Sequence, residues 1–251
     1  MMEPAGNSLY NALQLTAEKR FSRGFTILGN YTFAKTIDNN VGSANKGNGT
    51  NVTNPYNQHF DRGPADYNLK HVFNFSGVFQ SPIFSRNVLR MVASRWQLSP
   101  IVKIKSGQYF TVTSGTDVAL TATAGQTANL VPGVSPYAAN KSVDGWLNKE
   151  AFAVPAPGTY GNLGYNNLLG PGAFQFDVSL ARTFQIPGRE SQTLQFRAEA
   201  FNLPNHLNPS PPVSSLNSSD FGRILKNGIA FQNGLAAGDP RILQFALKYV
   251  F

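Results

Sequence analysis

The chain has 251 residues, enough for one large domain or two small ones, and a net charge of +8. Only 14% of the residues are charged, well below the roughly 25% of an average soluble protein. The absence of cysteine excludes disulfide frameworks, thiol nucleophiles and cysteine-based zinc sites. Because the lysines and arginines form no basic run and no nucleic-acid motif, we expect no nucleic-acid partner despite the positive charge.

Apolar and polar residues alternate through most of the chain, which predicts long β-strands. Residues 9–21 and 25–37 alternate on either side of Ser22-Arg23-Gly24, the pattern of a hairpin with a short turn. Because proline cannot donate a hydrogen bond to a neighbouring strand, Pro100 predicts a bulge in the strand expected at residues 96–105. Five further alternating runs bring the predicted strands to seven: residues 70–80, 96–105, 174–184, 194–200 and 243–251.

The lengths of strands and links favour a membrane barrel. No apolar run reaches the roughly 18 residues of a membrane helix, whereas most predicted strands have the roughly 9–11 residues of a transmembrane strand. Long links near residues 38–66, 106–172 and 204–238 are rich in Gly, Asn, Ser, Thr and Pro, and we expect them to lack regular structure. Short periplasmic turns and long extracellular loops are typical of outer-membrane barrels. We therefore predict an all-β fold: part of an antiparallel transmembrane β-barrel, open without further strands, with about seven meander strands, long extracellular loops and a periplasmic C-terminus.

The placement of charged and aromatic residues agrees with one lipid-facing side of each strand. A lysine or arginine facing lipid at mid-bilayer costs roughly 2–4 kcal/mol, falling to about 0–1 kcal/mol at the interfaces. The basic residues of the apolar faces all lie near strand ends: Lys19, Lys35, His71, Arg182 and Arg241. An aromatic girdle is predicted at the periplasmic level from Phe21, Phe25, Phe79, Trp96, Phe184, Tyr249 and Phe251.

The polar faces would line the lumen of such a barrel. Asp177 and Glu199 would suit the paired carboxylates of a glycosidase, but cross-strand ion pairs with Arg197 and nearby lysines are the simpler interpretation. The candidate residues for lining the lumen and contacting a ligand are Lys103, Lys105, Asp177, Arg197 and Glu199.

No catalytic or metal-binding motif stands out in the sequence. The histidines, His59, His71 and His206, have no metal-ligand spacing, and neither a nucleophile elbow nor a P-loop occurs. We therefore expect no enzyme activity, no metal and no cofactor.

The end of the chain resembles the terminal strand of outer-membrane proteins. Residues 239–251 alternate apolar and polar side chains and end in phenylalanine. The resemblance implies recognition of this strand by the barrel-assembly machinery, through Leu243, Phe245, Leu247, Tyr249 and Phe251.

Four further segments carry a more specific resemblance. Their motifs are DRG…HVF at residues 61–73, WQLS…SGQYFTV at 96–112, GNLG…LGPG at 161–172 and LQFRAEAFNLPNH at 194–206. In order and spacing they resemble the C-terminal barrel of TonB-dependent receptors of the Oar-like type, which carry a carboxypeptidase-regulatory-like domain at their front. The resemblance implies a barrel of about 22 strands with a plug in its lumen, a TonB box, and uptake of a ligand across the outer membrane.

Residues 1–251 would then be the C-terminal segment of the barrel domain, with no plug domain. Because the start of the chain has no basic and no apolar signal-peptide region, we expect the natural N-terminus to lie further upstream. The expected partners are outer-membrane lipid, the barrel-assembly machinery, TonB only through the missing N-terminal part, and an unidentified ligand of the oligosaccharide, peptide or siderophore class. The alternative is a soluble secreted β-sandwich that binds polysaccharide or acts as an adhesin, with its phenylalanine-rich faces packed together.

Overall fold

The computed structural model describes residues 6–39, 53–54, 57–122, 126–186, 189–225 and 240–251. Within these ranges no helix is long and apolar enough to cross a membrane. The helical elements are α1 (Asn87–Ala93) and two 3₁₀ turns, Gln58–Asp61 and Lys149–Ala151. The strands are β1 (Ser8–Ser22), β2 (Phe25–Asp38), β3 (Gly63–Pro64), β4 (His71–Gln80), β5 (Trp96–Lys105), β6 (Tyr109–Phe110), β7 (Asn129–Leu130), β8 (Tyr137–Ser142), β9 (Gly145–Leu147), β10 (Phe152–Ala153), β11 (Leu168–Leu169), β12 (Ala173–Ile186), β13 (Arg189–Phe201) and β14 (Ile242–Val250).

Seven long strands form one antiparallel sheet in the order β1-β2-β4-β5-β12-β13-β14, and the short β3 pairs with β2. The all-β fold and the seven meander strands predicted from the alternation are therefore confirmed. β13 begins at Arg189, earlier than the predicted residue 194, because residues 189–193 are all polar and carry no alternation. β1 and β14 each pair on one side only, so the described part of the sheet is open.

The strand registers keep one apolar face across the whole sheet. Phe75 on β4 lies opposite Val102 on β5, which lies opposite Phe176 on β12. This face is uncovered: the side chains of Leu13 and Phe245 are 54% and 68% exposed. Among the described residues no second long-stranded sheet packs against it, so the phenylalanine-rich faces are not packed together there as the β-sandwich alternative expects. An exposed apolar face of this size indicates contact with other apolar groups, either of a protein or of a membrane.

Basic residues on the apolar face lie at strand ends and contact aromatic rings. The Lys19 Nζ atom is 3.8 Å from the Phe25 ring centroid. The Arg182 guanidinium carbon is 4.7 Å from the Phe184 ring centroid and 5.2 Å from that of Trp96. Both cations lie near strand ends, as predicted. A ring face attracts a cation at such distances, so the contacts stabilise both side chains there.

The bulge predicted at Pro100 is absent. β5 pairs with β12 from Trp96 to Lys105 without a register shift, and Pro100 lies opposite Val178. The ladder with β4 also keeps its register but has no bridge opposite Gly77 and Val78. The backbone N–H groups of successive strand residues point to the two neighbouring strands in turn. The N–H that Pro100 lacks therefore interrupts only the pairing with β4, and β5 accommodates the proline without the extra residue of a bulge.

All long links leave the sheet at one end, called here the loop end. They follow β2, β5 and β13 and precede β4 and β12, whereas the turn between β1 and β2 and helix α1 lie at the opposite turn end. The described parts of residues 106–172 and 202–225 form a unit called here the loop layer. Its core consists of Phe110, Val112, Ala128, Leu147, Ala151, Phe152, Leu163, Leu168 and Leu216.

The prediction that the long links lack regular structure is wrong for the loop layer. The strand pairs β6–β11, β7–β10 and β8–β9 and the buried core give it a fixed structure. Sequence patterns missed it because glycine, asparagine and proline signal turns, while the core residues have no common period and meet only in the folded chain.

Asn208 attaches the loop layer to the sheet beyond the point where β13 stops pairing. β13 pairs with β12 only from Val178 onward, which leaves the earlier part of β12 without that neighbour. The Asn208 side chain accepts a hydrogen bond from the Phe174 N–H at 2.7 Å and donates to the Phe174 carbonyl at 3.0 Å. The Leu203 N–H donates to the Phe176 carbonyl at 2.8 Å. The loop therefore replaces a strand in the ladder.

Candidate functional site

The five residues predicted to line a lumen lie on the polar face of three adjacent strands. Lys103 and Lys105 belong to β5, Asp177 to β12, and Arg197 and Glu199 to β13. The registers of β5 with β12 and of β12 with β13 place all five on the same side of the sheet. The structure therefore brings the candidates onto the same polar face, which leads towards the loop end.

Glu199 pairs with Arg197, though not across strands as predicted. The Arg197 Nη1 atom is 3.7 Å from Glu199 Oε1, and both side chains project from β13 two residues apart. Arg197 also donates from Nη2 to the Gln195 side-chain carbonyl at 3.3 Å. An ion pair this exposed stabilises a fold by only about 0–1 kcal/mol, so a ligand can compete for either group.

Asp177 has a structural role. Its Oδ1 atom accepts a hydrogen bond from the Asn202 N–H at 2.8 Å, and its Oδ2 atom accepts one from Gln175 Nε2 at 2.8 Å. These contacts hold the first residue after β13 against β12. Asp177 and Glu199 thus have separate partners, as expected of carboxylates that position neighbouring groups.

Lys105 lies where the polar face meets the loop layer. It lines a cavity of about 30 Å³ together with Ser106, Gln108 and Ser210. A space of this size holds water and nothing larger. A ligand of the predicted classes is therefore too large for this cavity.

The loop layer has an open groove of about 620 Å³ on its surface. Its volume lies within the range of small-molecule sites, roughly 300–1,000 Å³. The groove is lined by apolar side chains with a few amide and hydroxyl groups, contributed by residues 130–135, Asn162, Leu163 and Asn167. Sequence analysis missed it: the Pro132-Gly133 pair signals a turn, but no pattern indicates a cavity beside it.

A buried polar cluster, also missed by sequence analysis, joins the link between β3 and β4 to the loop layer. The Tyr165 hydroxyl donates to Asp66 Oδ1 at 2.9 Å, and Asn166 Nδ2 donates to the same atom at 2.5 Å. The other oxygen, Oδ2, is buried and has no hydrogen-bond partner among the described residues. Burial, and secondly the Asp66 charge, raise the pKa of Tyr165. The only sequence signal was the position of Asp66 just after the DRG motif.

Replacing Tyr165 by phenylalanine is expected to destabilise the loop layer by about 1–3 kcal/mol, because Asp66 loses a buried donor. The folded protein keeps the Tyr165 proton that the unfolded chain releases near pH 10. Stability from this group is therefore full below about pH 10 and falls as the pH rises above it. Urea titrations of the native protein, at about pH 8 and pH 11, should show this loss, and Tyr165→Phe should lack it.

Tyr67 provides the matched control, since its side chain is 64% exposed. Tyr67→Phe should keep both the stability and the alkaline loss of the native protein. An unchanged alkaline loss in Tyr165→Phe would show that another group titrates.

A second carboxylate in the loop layer, that of Asp117, closes a tight turn. It accepts hydrogen bonds from the N–H groups of Thr121 at 3.0 Å and Ala122 at 2.7 Å. The Thr121 N–H makes the largest contribution to lowering the pKa of Asp117. The carboxylate is thereby held in its charged form.

The predicted recognition residues of the last strand lie at the free edge of the sheet. The Phe245 ring stacks on the Phe196 ring of β13 with centroids 6.4 Å apart, and the Tyr249 and Phe251 rings are 5.9 Å apart. Leu243, Phe245, Leu247 and Tyr249 project from the apolar face, and Phe251 follows the end of β14. All five residues are exposed.

Comparison with known proteins gives one result. A family model described as an outer membrane beta barrel domain matches residues 1–244. No curated protein and no solved structure matches the chain. The matched range includes six of the seven long strands and the start of β14.

Proposed function

Because the chain belongs to the outer membrane beta barrel domain family, we propose that it forms part of the wall and extracellular loops of a TonB-dependent transporter. Membership of this family implies that the protein resides in the outer membrane. The apolar face of the sheet then contacts hydrocarbon, and the polar face borders an aqueous lumen. The proposal includes no catalytic step.

The observation that carries this proposal is the continuity between the loop layer and the charged polar face. Lys105 lines the junction of the two, and Lys103 and Arg197 continue the charged surface along the sheet. A purely structural barrel needs no ordered layer with a groove at its mouth. A transporter needs both a surface that captures ligand outside and a polar route inward.

We assign the loop end to the cell exterior and the turn end, with the C-terminus, to the periplasm. Long loops are extracellular and short turns periplasmic in barrels of this kind. Each free edge of the sheet, along β1 and β14, exposes backbone groups that cost several kcal/mol each in lipid. We propose that further strands pair with these edges, and a plug and contact with TonB would belong to those further parts.

Uptake measurements in the native host test the function. Deleting the gene should abolish uptake of at least one of three labelled probes: an oligosaccharide, an oligopeptide or a ferric siderophore. Inactivating TonB should abolish the same uptake. The double substitution Lys103→Gln with Arg197→Gln should reduce uptake, because both cations lie on the polar face. Lys19→Gln removes a cation from the apolar face and should leave uptake unchanged.

The transporter proposal fails if the protein is present in the outer membrane and none of the three uptakes depends on TonB. The same outcome leaves the family assignment intact, because that assignment concerns the barrel alone.

We also propose that the barrel-assembly machinery recognises β14 through its aromatic residues. Phe251→Asp should then lower the amount of protein in the outer membrane severalfold, since it places a charge on the exposed terminal ring position. Val250→Asp adds the same charge on the polar face, opposite Thr193, and should assemble normally. Immunoblots of purified outer membranes measure both, and equal amounts of the two variants would contradict the proposal.

A further inference from the structure

Helix α1 sits on a closed loop at the turn end of the sheet, between β4 and β5. The Ser81 N–H donates to the Trp96 carbonyl at 2.9 Å, and the Trp96 N–H donates to Ser81 Oγ at 2.9 Å. The Phe84 N–H donates to Ser94 Oγ at 3.0 Å, and Ser94 is buried. These bonds fix both ends of the segment, so that the helix projects from the rim in one orientation.

The helix buries none of its residues, although most of them are apolar. Val88, Met91 and Val92 follow the i, i+3, i+4 spacing of one helix face, and their side chains are 69%, 68% and 57% exposed. Arg90 lies on the other side of the helix, because two residues turn an α-helix by about 200°. The segment is therefore amphipathic with its apolar side uncovered.

The helix is hydrogen-bonded to side chains that project from the apolar face of the sheet. Trp96 Nε1 donates to the Val92 carbonyl at 2.8 Å, and the Arg182 guanidinium donates to the Met91 carbonyl. Trp96 and Arg182 both project from the apolar face. The uncovered side of α1 is therefore continuous with the surface that contacts hydrocarbon, at the level of the aromatic rings.

The charge of the segment fits an anionic surface. Residues 81–96 contain three arginines, Arg86, Arg90 and Arg95, and no acidic residue. Arginine binds phosphate oxygens in a bidentate manner and carries its charge at every physiological pH. An apolar side with arginines beside it is typical of helices that lie in the headgroup region of a membrane.

We propose that α1 is an interfacial helix, which inserts Val88, Met91 and Val92 among the acyl chains of the inner leaflet and binds anionic phospholipid phosphates through Arg86 and Arg90. The proposal rests on the outer-membrane placement and on the orientation proposed above. Any further barrel strand added at β1 or β14 would not lie beside this helix, because β4 and β5 are paired on both sides and β2 and β1 separate them from the nearer edge of the described sheet.

Because the chain contains no cysteine, single-cysteine variants can report the depth of chosen positions. The full-length protein is reconstituted in vesicles of phosphatidylethanolamine and phosphatidylglycerol that contain nitroxide-labelled acyl chains. An environment-sensitive fluorophore is attached at Val88→Cys on the apolar side of α1 or at Arg90→Cys on its opposite side. Val102→Cys, on the apolar face of β5 opposite Phe75 and Phe176, reports insertion of the sheet.

The label at position 88 should be quenched by the nitroxide lipids and protected from aqueous iodide, whereas the label at 90 should show the reverse. Adding Arg86→Gln and Arg90→Gln to Val88→Cys should lower the ratio of lipid-inserted to water-exposed label by about fivefold per arginine. In vesicles of phosphatidylcholine alone the two substitutions should have little effect, because the anionic phosphates of phosphatidylglycerol are absent.

Two results overturn the proposal and can be told apart. If the label at 102 is in lipid while the label at 88 is open to iodide, the interfacial helix is wrong and the membrane placement stands. If the label at 102 is also open to iodide, the sheet is not inserted and both proposals fall.

Discussion

Val178→Arg is expected to destabilise the membrane-inserted protein by roughly 2–4 kcal/mol, the cost of arginine facing lipid at mid-bilayer. Val178 lies opposite Pro100 on one side and Ala200 on the other, on the apolar face of the sheet. Pro100 is near the middle of β5, so an arginine here is too far from either interface for its guanidinium to reach water easily.

Ser179→Arg is the matched control, since it places the same side chain on the polar face one residue later. Ser179 lies opposite Ser99 and Glu199, where an arginine meets a carboxylate and, by our assignment, water. We expect its effect to stay within about 0.5 kcal/mol, as for ordinary surface substitutions.

Urea unfolding from phospholipid vesicles, followed by tryptophan fluorescence, measures both variants. The transmembrane interpretation predicts a large loss of stability at position 178 and none at 179. Equal losses at the two positions, or a larger loss at 179, would mean that the apolar face does not contact lipid.

The seven long strands were predictable from the sequence because a membrane enforces alternation on each of them. Phe73, Phe75 and Phe79 share one face of β4, and the polar residues between them share the other. The same regularity predicted that Lys103 and Arg197 lie on the polar face, as the registers show. Where the alternation fades, as at residues 189–193, the predicted boundary was wrong.

The loop layer was not predictable, because its order depends on contacts between residues far apart in the chain. Tyr165 and Asp66 are separated by 99 positions, and neither belongs to a periodic segment. Asn208 looks like any loop asparagine until its side chain is seen bonded to both backbone groups of Phe174. The role of Asp177 in holding Asn202 was missed for the same reason.

Gly107→Ala is expected to destabilise the loop layer by about 3 kcal/mol or more, above the usual range for overpacking because the obstructing atoms are backbone. A Cβ atom at Gly107 would collide with the carbonyl group of Gly170 and lie 2.8 Å from the Pro171 carbonyl oxygen. Those atoms cannot rotate away, since the Gly170 N–H is bonded to the Gln108 carbonyl at 2.8 Å. The methyl group would therefore separate the two ends of the 106–172 segment where it leaves the sheet.

Gly145→Ala is the matched control, because a Cβ atom there meets nothing within 4 Å. Hydrogen exchange should show loss of protection at the Gly170 amide in Gly107→Ala and none in Gly145→Ala, with the long strands protected in both. Such a split would show that the contact between Gly107 and Gly170 opens without unfolding the sheet. If Gly107→Ala leaves the Gly170 amide as protected as in the control, the close contact between the two segments does not exist.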